Sequence, residues 1–446
     1  MTPIKDRMSS PVILALCTLL QLCFGTVYAW SFFQTLLVRD LAWTYSDTAL
    51  AFSVTIFSLG VSAAIAGTLL PKVGPRALAL TGSVFFSVGY VIGGLSIQAD
   101  SVLWFCLGHG VLGGMGIGMG YVTPVATTAK WFPNRRGLAT GIVVMGFGFG
   151  ALVLSKFLAP LLVDVTRGDL ALVFICHGIV FATVLIPSSI LLTDPPSQEV
   201  MSNSNEPKTR VLQSAAEPTI ARCLASPEFV VLWIVFFFNI AAGISVISFQ
   251  STLLQEVWGA ANPLLEPVVL AQYGATLIAV SSIFNGLGRL FWGLLSDRIG
   301  RTNVFRLLLA TQMVVFGLLL ADINPWVFCG LVCYILLCFG GGFATVPSFI
   351  LDVFGSKRMS TIYGAVLTAW AAAGIFGPLY VGHLKDQYPG RAVVFCFLSG
   401  GVILAIGVVF SYLLSDDRYR VGRPQMRDTL ERLGVPIPRG AASGGG

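Results

Sequence analysis

The sequence predicts an all-α polytopic membrane protein, with twelve transmembrane helices in a pseudo-symmetric 6+6 arrangement. Three observations carry that reading. Only 11% of the 446 residues are charged and 55% are hydrophobic, whereas a soluble globular chain carries about 25% charged residues. Apolar runs of spanning length, roughly 20 residues, recur along almost the whole chain. Short motifs from the first part of the chain also return in the second at a nearly constant offset. The 48 charged side chains (27 basic plus 21 acidic) are too few to cover a water-soluble surface of this size. A mean hydropathy of +0.83 and 49 glycines agree with this, since glycine is commoner in membrane helices than in soluble ones. These numbers set aside a soluble enzyme, a nucleic-acid binder and a disordered chain.

Met1 to Ser10 is short and polar, with Lys5 and Arg7. The apolar run that follows exceeds 20 residues and has no credible cleavage site. It reads as a first spanning helix rather than a removed signal peptide. Twelve spans follow at approximately 12–36, 48–70, 77–97, 102–128, 138–162, 170–193, 227–254, 268–294, 303–321, 326–351, 361–380 and 392–414. Residues 1–193 are expected to form an N-terminal six-helix bundle and 227–414 a C-terminal one. A cytoplasmic linker, 194–226, contains Pro195-Pro196 and many Ser, Asn and Glu residues. A cytoplasmic tail, 415–446, carries six arginines from Arg418 to Arg439 and ends in Gly, Ser and Ala.

Counting Lys and Arg on alternate loops sets the orientation. With both termini on one side, that side holds 21 of the 27, including Lys72, Lys130, Lys208, Arg298 and Lys357. The opposite loops hold four, Arg39, Arg167, Lys385 and Arg391, and the last two, Lys156 and Arg289, fall inside helices. The positive-inside rule then places both termini in the cytoplasm, and a cell (plasma) membrane is the expected location. Of nine cysteines, only Cys223 lies in a polar loop, and no metal-ligand spacing appears. Buried free cysteine behaves as a small hydrophobe.

The halves repeat each other. Gly67-Thr-Leu-Leu-Pro71-Lys72-Val-Gly74 has its counterpart in Gly293-Leu-Leu-Ser-Asp297-Arg298-Ile-Gly300, 226 residues on. Phe132-Pro-Asn-Arg135-Arg136 is matched by Phe354-Gly-Ser-Lys357-Arg358, 222 residues on. Parallel six-helix repeats place a substrate path between the halves near the bilayer midplane.

Twelve helices, the 6+6 repeat and the loop Gly293 to Arg301 resemble the major facilitator superfamily. Within it, the chain resembles the oxalate:formate antiporter family, which is related to the monocarboxylate transporters. The supporting segments are Tyr28-Ala-Trp30, Gly116 to Tyr121, Trp131 to Ala139, Ser226 to Trp233, Phe284-Asn-Gly-Leu-Gly-Arg289-Leu-Phe-Trp292-Gly and Tyr363-Gly364. The resemblance implies a major facilitator fold, with Gly293, Asp297, Arg298, Gly300 and Arg301 as a conformational motif. It also shows two departures. Pro71 stands at the usual acidic position of the first loop motif, and Trp370 stands where dicarboxylate carriers of the family have a lysine in helix eleven.

Arg289 is the strongest functional signal. It lies eight residues before Asp297, about 12 Å deeper along a helix, where a guanidinium costs several kcal/mol and marks a substrate path. Its planar fork matches a carboxylate through two parallel hydrogen bonds; the bland alternative is a buried ion pair with another helix. Tyr28, Trp30, Tyr121, Phe147, Phe339, Phe343 and Trp370 are candidate cavity aromatics, several by resemblance, although aromatics at helical spacing often face lipid or pack between helices. Lys156 either snorkels to the outer interface or replaces the cation lost at Trp370. His109 and His177, the histidines placed within spans, either relay a proton or are packed and satisfied.

The run Gly113 to Gly120 lacks the strand and βαβ context of a dinucleotide site and is read as close helix packing. With no paired carboxylates, nucleophile elbow, P-loop or zinc pattern, neither an enzyme nor a cofactor is expected, nor a nucleic-acid partner. The expected function is secondary transport of small organic anions, monocarboxylates such as lactate, pyruvate or formate, by exchange or proton coupling. The expected partners are a small carboxylate and the lipid bilayer, with the monomer as the functional unit. A drug or natural-product transporter and a transporter-like metabolite sensor are the alternatives.

Overall fold

The computed structural model describes residues 9–132, 136–195, 219–321, 324–355, 358–388 and 390–415. Linker residues 196–218, tail residues 416–446 and the loop cations Arg135 and Lys357 lie outside the described residues. The described chain is helical, without strands. Every expected span falls in a helix. These are α1 (Ser10–Leu41), α2 and α3 (limbs 45–73 and 75–98 of the run Tyr45–Gln98), α4 (Val102–Trp131), α5 (Gly137–Val165) and α6 (Leu170–Ile190). The second set is α7 (Pro227–Ala261), α8 (Pro267–Ile299), α9 (Arg301–Leu318), α10 (Pro325–Phe354), α11 (Met359–Gln387) and α12 (Ala392–Ser411).

Among the described residues ten runs are long and apolar enough to cross a membrane, and two physical facts relate ten to twelve. No loop separates α2 from α3: Gly74, at φ 79°, turns the chain between Pro71 and Pro75, in a conformation that glycine adopts without steric cost. Gly300, 226 residues on, makes the same turn between α8 and α9 at φ 89°. Meanwhile, α9 carries Arg301, Arg306 and Gln312 among its 18 residues, which lowers its hydropathy. Helix starts follow local chemistry. Thr44 and Asp47 form a reciprocal capping box on α2, and Ser226 caps α7 with Pro227 in the first turn, each supplying partners or geometry for orphan amides.

Four irregularities had no sequence signal. α1 tightens to a 3-10 turn at Gly25–Ala29, α4 widens to π geometry at Cys106–Gly113 and α5 at Leu154–Leu158, and α11 breaks at Leu367. Two placements need correction. His383 and Lys385 lie inside α11, which runs seven residues past the expected boundary at 380. Lys385 is buried there rather than exposed in a loop, because Glu256 of α7 pairs with it.

The first six helices meet the last six along two seams. Small residues make both seams close, as expected where lipid removes the hydrophobic drive for association. A Cβ on Gly60 would fall 2.6 Å from that of Ala371, and one on Gly364 2.6 Å from the Ala63 carbonyl oxygen, so α2 and α11 touch along their length. Between α5 and α8, a Cβ on Gly148 would sit 2.5 Å from the Gly286 Cα. The ends of the bundle differ in charge. The turns at Gly74 and Gly300 and the start of α5 share the basic end; the α1–α2 turn and the close of α11 share the distal end.

Candidate functional site

α8 delivers Arg289 to the centre of the α5–α8 seam. Gly286 accepts α5, and Gly288 accepts α10, where a Cβ would lie 2.1 Å from the Leu337 carbonyl oxygen. Two turns from Arg289, Ser282 crosses the seam. Its hydroxyl donates to the Gly148 carbonyl at 2.6 Å and accepts from the Leu152 amide at 3.0 Å. Gly148 and Leu152 are four apart, so the serine stands within a rung of the α5 ladder and ties α8 to the backbone beside Phe147.

Arg289 is completely buried. The Phe343 and Phe147 rings lie 4.9 and 5.4 Å from its Cζ, close enough for cation–π attraction. Nη1 donates to the Tyr121 hydroxyl at 3.3 Å. Nε and Nη2 have no hydrogen-bond partner, and no acidic side chain among the described residues pairs with the guanidinium. Orphaned donors on a buried cation are costly. The two left over are adjacent on one edge of the planar group, the edge that grips both oxygens of a carboxylate.

Aromatic rings enclose this edge. Trp370 packs against Phe343 at 4.7 Å, Tyr121 at 5.3 Å and Phe147 at 5.9 Å between centroids. Tyr28, carried by the 3-10 turn of α1, meets Phe147 at 5.2 Å and Phe339 at 5.5 Å. The Tyr28 hydroxyl, which faces and interacts with Arg289, and Trp370 Nε1 are also buried without a hydrogen bond of standard geometry. Both halves therefore build one box: Tyr28, Tyr121 and Phe147 from the first six helices, and Arg289, Phe339, Phe343 and Trp370 from the last six. No lysine and no second arginine lies in it among the described residues.

Other expected residues lie elsewhere. Trp30 stacks on His109 at 5.8 Å and on Phe52 at 6.0 Å, inside the first six helices. His177 shares that cluster through Tyr90, at 5.8 Å, with Nδ1 at 2.7 Å from the Val173 carbonyl oxygen. Lys156 donates to the Thr276 hydroxyl at 2.7 Å from an exposed position. Thr276 is thirteen residues from Arg289, about 20 Å along α8. Gly293, Asp297, Arg298, Gly300 and Arg301 gather at the basic end, where Arg301 bridges Asp297 at 2.5 Å and Asp352 of α10 at 3.2 Å while Arg298 stays exposed.

Sequence reasoning missed Tyr363, whose hydroxyl reaches that of Tyr121 at 3.4 Å, although its pairing with Gly364 had drawn notice as a motif. It also missed Ser282, which has no signal beyond its position seven residues before Arg289. A narrow crevice of about 40 Å³ leads from Asp297 at the basic end to Arg289, between Gly141 of α5 and Pro347 of α10. That is room for only a few waters. No group of three or more His, Cys, Asp or Glu placed to hold a metal occurs among the described residues.

Comparison with known proteins bears on the family and the fold. The family model of the Major Facilitator Superfamily matches residues 14–378 and 249–436. The chain is 26% identical to YhjX, an uncharacterized MFS-type transporter of Escherichia coli (strain K12), covering 84% of this chain and 88% of that one. It is 26% identical to an oxalate:formate antiporter of Oxalobacter formigenes, covering 79% of each. It is also 26% identical to the apicoplast pyruvate carrier 1 of Toxoplasma gondii, covering 74% and 68%. Fungal efflux proteins match at 25%. Among solved structures, a mutant form of the nucleoside transporter NupG superposes with a TM-score of 0.66 at 12% identity, over 91% of this chain and all of that one.

Proposed function

The chain belongs to the Major Facilitator Superfamily, and on that premise we propose that this transporter carries small organic monocarboxylates, of the lactate, pyruvate or formate type, with Arg289 as the anion-binding residue. The observation that carries the reading is the fully buried guanidinium with two adjacent donors free and no acidic partner among the described residues. A carboxylate supplies both missing acceptors and the missing charge at once. The rings exclude water, which strengthens the attraction. One cation balances one carboxylate, so a dicarboxylate leaves a net negative charge in an apolar box.

In this reading, bundles 1–193 and 227–414 rock about the seams, with Ser282 near the pivot and the crevice from Asp297 as the approach to Arg289. Both termini are cytoplasmic, in the cell membrane, and the monomer is the working unit. Arginine does not deprotonate in proteins, so a crossing without substrate leaves a bare charge in the box and a loaded crossing does not. That asymmetry favours exchange. His109 and His177 are packed away from the box, so they do not supply the compensating charge.

The decisive test is counterflow in proteoliposomes with a labelled monocarboxylate panel. Arg289→Ala, inserted normally in the membrane, loses about 100-fold or more in uptake, the scale of removing one partner of a buried charge-assisted pair. Undiminished carboxylate transport by that variant defeats the proposal. Transport of an amphipathic drug but of no carboxylate by the wild type moves the chain to the efflux class.

A further inference from the structure

We infer that Asp386 is a latch between the halves at the distal end of the bundle, closing that end by capping the first turn of α2. The carboxylate accepts from the Tyr45 amide at 3.1 Å, the Ser46 amide at 2.9 Å and the Ser46 hydroxyl at 2.5 Å. The third amide of the turn, at Asp47, is held at 3.0 Å by Thr44 of its own half. A residue of α11 in the last six helices therefore completes the N-cap of a helix in the first six. An anion is favoured at that position, because orphan amides and the helix dipole both point at it.

The neighbouring charges show which contacts break and which persist. Lys385 is buried and pairs with Glu256 of α7, within its own half. Its Nζ also lies 4.7 Å from the Tyr45 ring across the seam, and that ring meets Phe249 of α7 at 6.3 Å. When the halves part at this end, Lys385 loses the ring but keeps its counter-ion, so no bare charge is created. Asp386 loses all three of its donors. Since Asp386 is exposed and Tyr45 and Ser46 are half-buried at the end of the bundle, water takes over both sides of the broken cap. A buried pair resists separation because its charges are stranded; an exposed helix cap separates and reforms at moderate cost. At the basic end the α2–α11 contact among the described residues is lighter, a single hydroxyl, that of Thr361, donating to the Gly67 carbonyl at 3.3 Å, while the crevice runs up to Arg289 beside Gly141, which has nothing within 4 Å of a Cβ position.

The test reads conformation, not transport, so it is independent of the substrate. Ala49 is fully buried on α2 near the latch, where a Cβ on Gly382 of α11 would come within 2.7 Å of its own. Ala63, also fully buried, lies further along α2 towards the basic end. Ala49→Cys and Ala63→Cys are introduced separately, and modification by a membrane-impermeant maleimide is followed at each site by peptide mass spectrometry. Asp386→Ala raises the rate at Ala49→Cys about tenfold, the factor for one charge-assisted hydrogen bond, with no rise at Ala63→Cys. Ser46→Ala, which removes a single donor, gives a smaller rise at the same site and serves where Asp386→Ala fails to insert. An unchanged rate at Ala49→Cys, or an equal rise at both cysteines, overturns the latch; the second outcome identifies general loosening.

Discussion

The molecule holds two buried aromatic clusters that look alike in composition and differ in what they can do. One surrounds Arg289 between the halves; the other surrounds His109 and His177 inside the first six helices. Each contains a tryptophan, a tyrosine and phenylalanines around a nitrogen group, and each leaves buried nitrogens without partners. The difference lies in charge and place. A neutral imidazole tolerates an aromatic surround as a packed ring, whereas a guanidinium is permanently charged and requires an anion. The first cluster also takes residues from both halves, so the proposed rocking of the halves would open and close it. The second lies wholly within the first six helices.

Four measurements test that contrast, beginning with the largest effect. Arg289→Lys keeps the charge but replaces the planar fork with a point donor; uptake should fall by about tenfold to 100-fold, and wild-type uptake would show that the fork is not used. Next, Trp370→Lys adds a second cation to the box and should shift preference towards a dicarboxylate such as oxalate, read as the ratio of the two uptake rates. An unchanged ratio means that position 370 does not meet the substrate. Tyr121→Phe removes the acceptor for Nη1 at 3.3 Å and should raise KM by about tenfold, with maximal rate less affected. Finally, His109→Gln should leave both uptake and its pH profile near wild type. A displaced pH profile in that variant would erase the distinction between the clusters and give the second one a proton.

A lost glycine contact tests the seam that both halves of the box depend on. Gly148→Val places a side chain where Gly286 already sits 2.5 Å away, so α5 and α8 must part and the Ser282 bond to the α5 backbone is broken. Reduced thermal stability in detergent together with lost uptake is expected, and an unaffected melting profile would mean that the seam is looser than its geometry.

Much of this was legible in one dimension. Composition required a membrane, because the charged residues are too few to solvate a surface, and apolar run length placed ten of the twelve helices within about five residues of their observed bounds, α7 and α11 each running seven residues further. α11 is the instructive miss. Its apolar stretch ends near 380, yet the helix continues to Gln387, because Lys385 is neutralised by a glutamate 129 residues away. A span estimate sees only the local charge.

The site divides along the same line. Arg289 was identifiable because a cation in an apolar run has few explanations, a property of the local sequence. Tyr28 and Trp30 were both cavity candidates, the tyrosine favoured only for its hydroxyl; the 3-10 turn at Gly25–Ala29 sends the tyrosine to the Arg289 box and leaves the tryptophan beside His109. That turn exists where Gly25 packs on α5, with a Cβ position only 2.0 Å from the Phe147 carbonyl oxygen, a contact between residues far apart in the chain. The sequence alone determined that the chain crosses a membrane, where its helices run and which cation stands out, because burial of charge is decided by the local run. Only the tertiary structure decided which rings face that cation, which donors are left over and where the halves are fastened, because those depend on helices meeting from opposite ends of the chain.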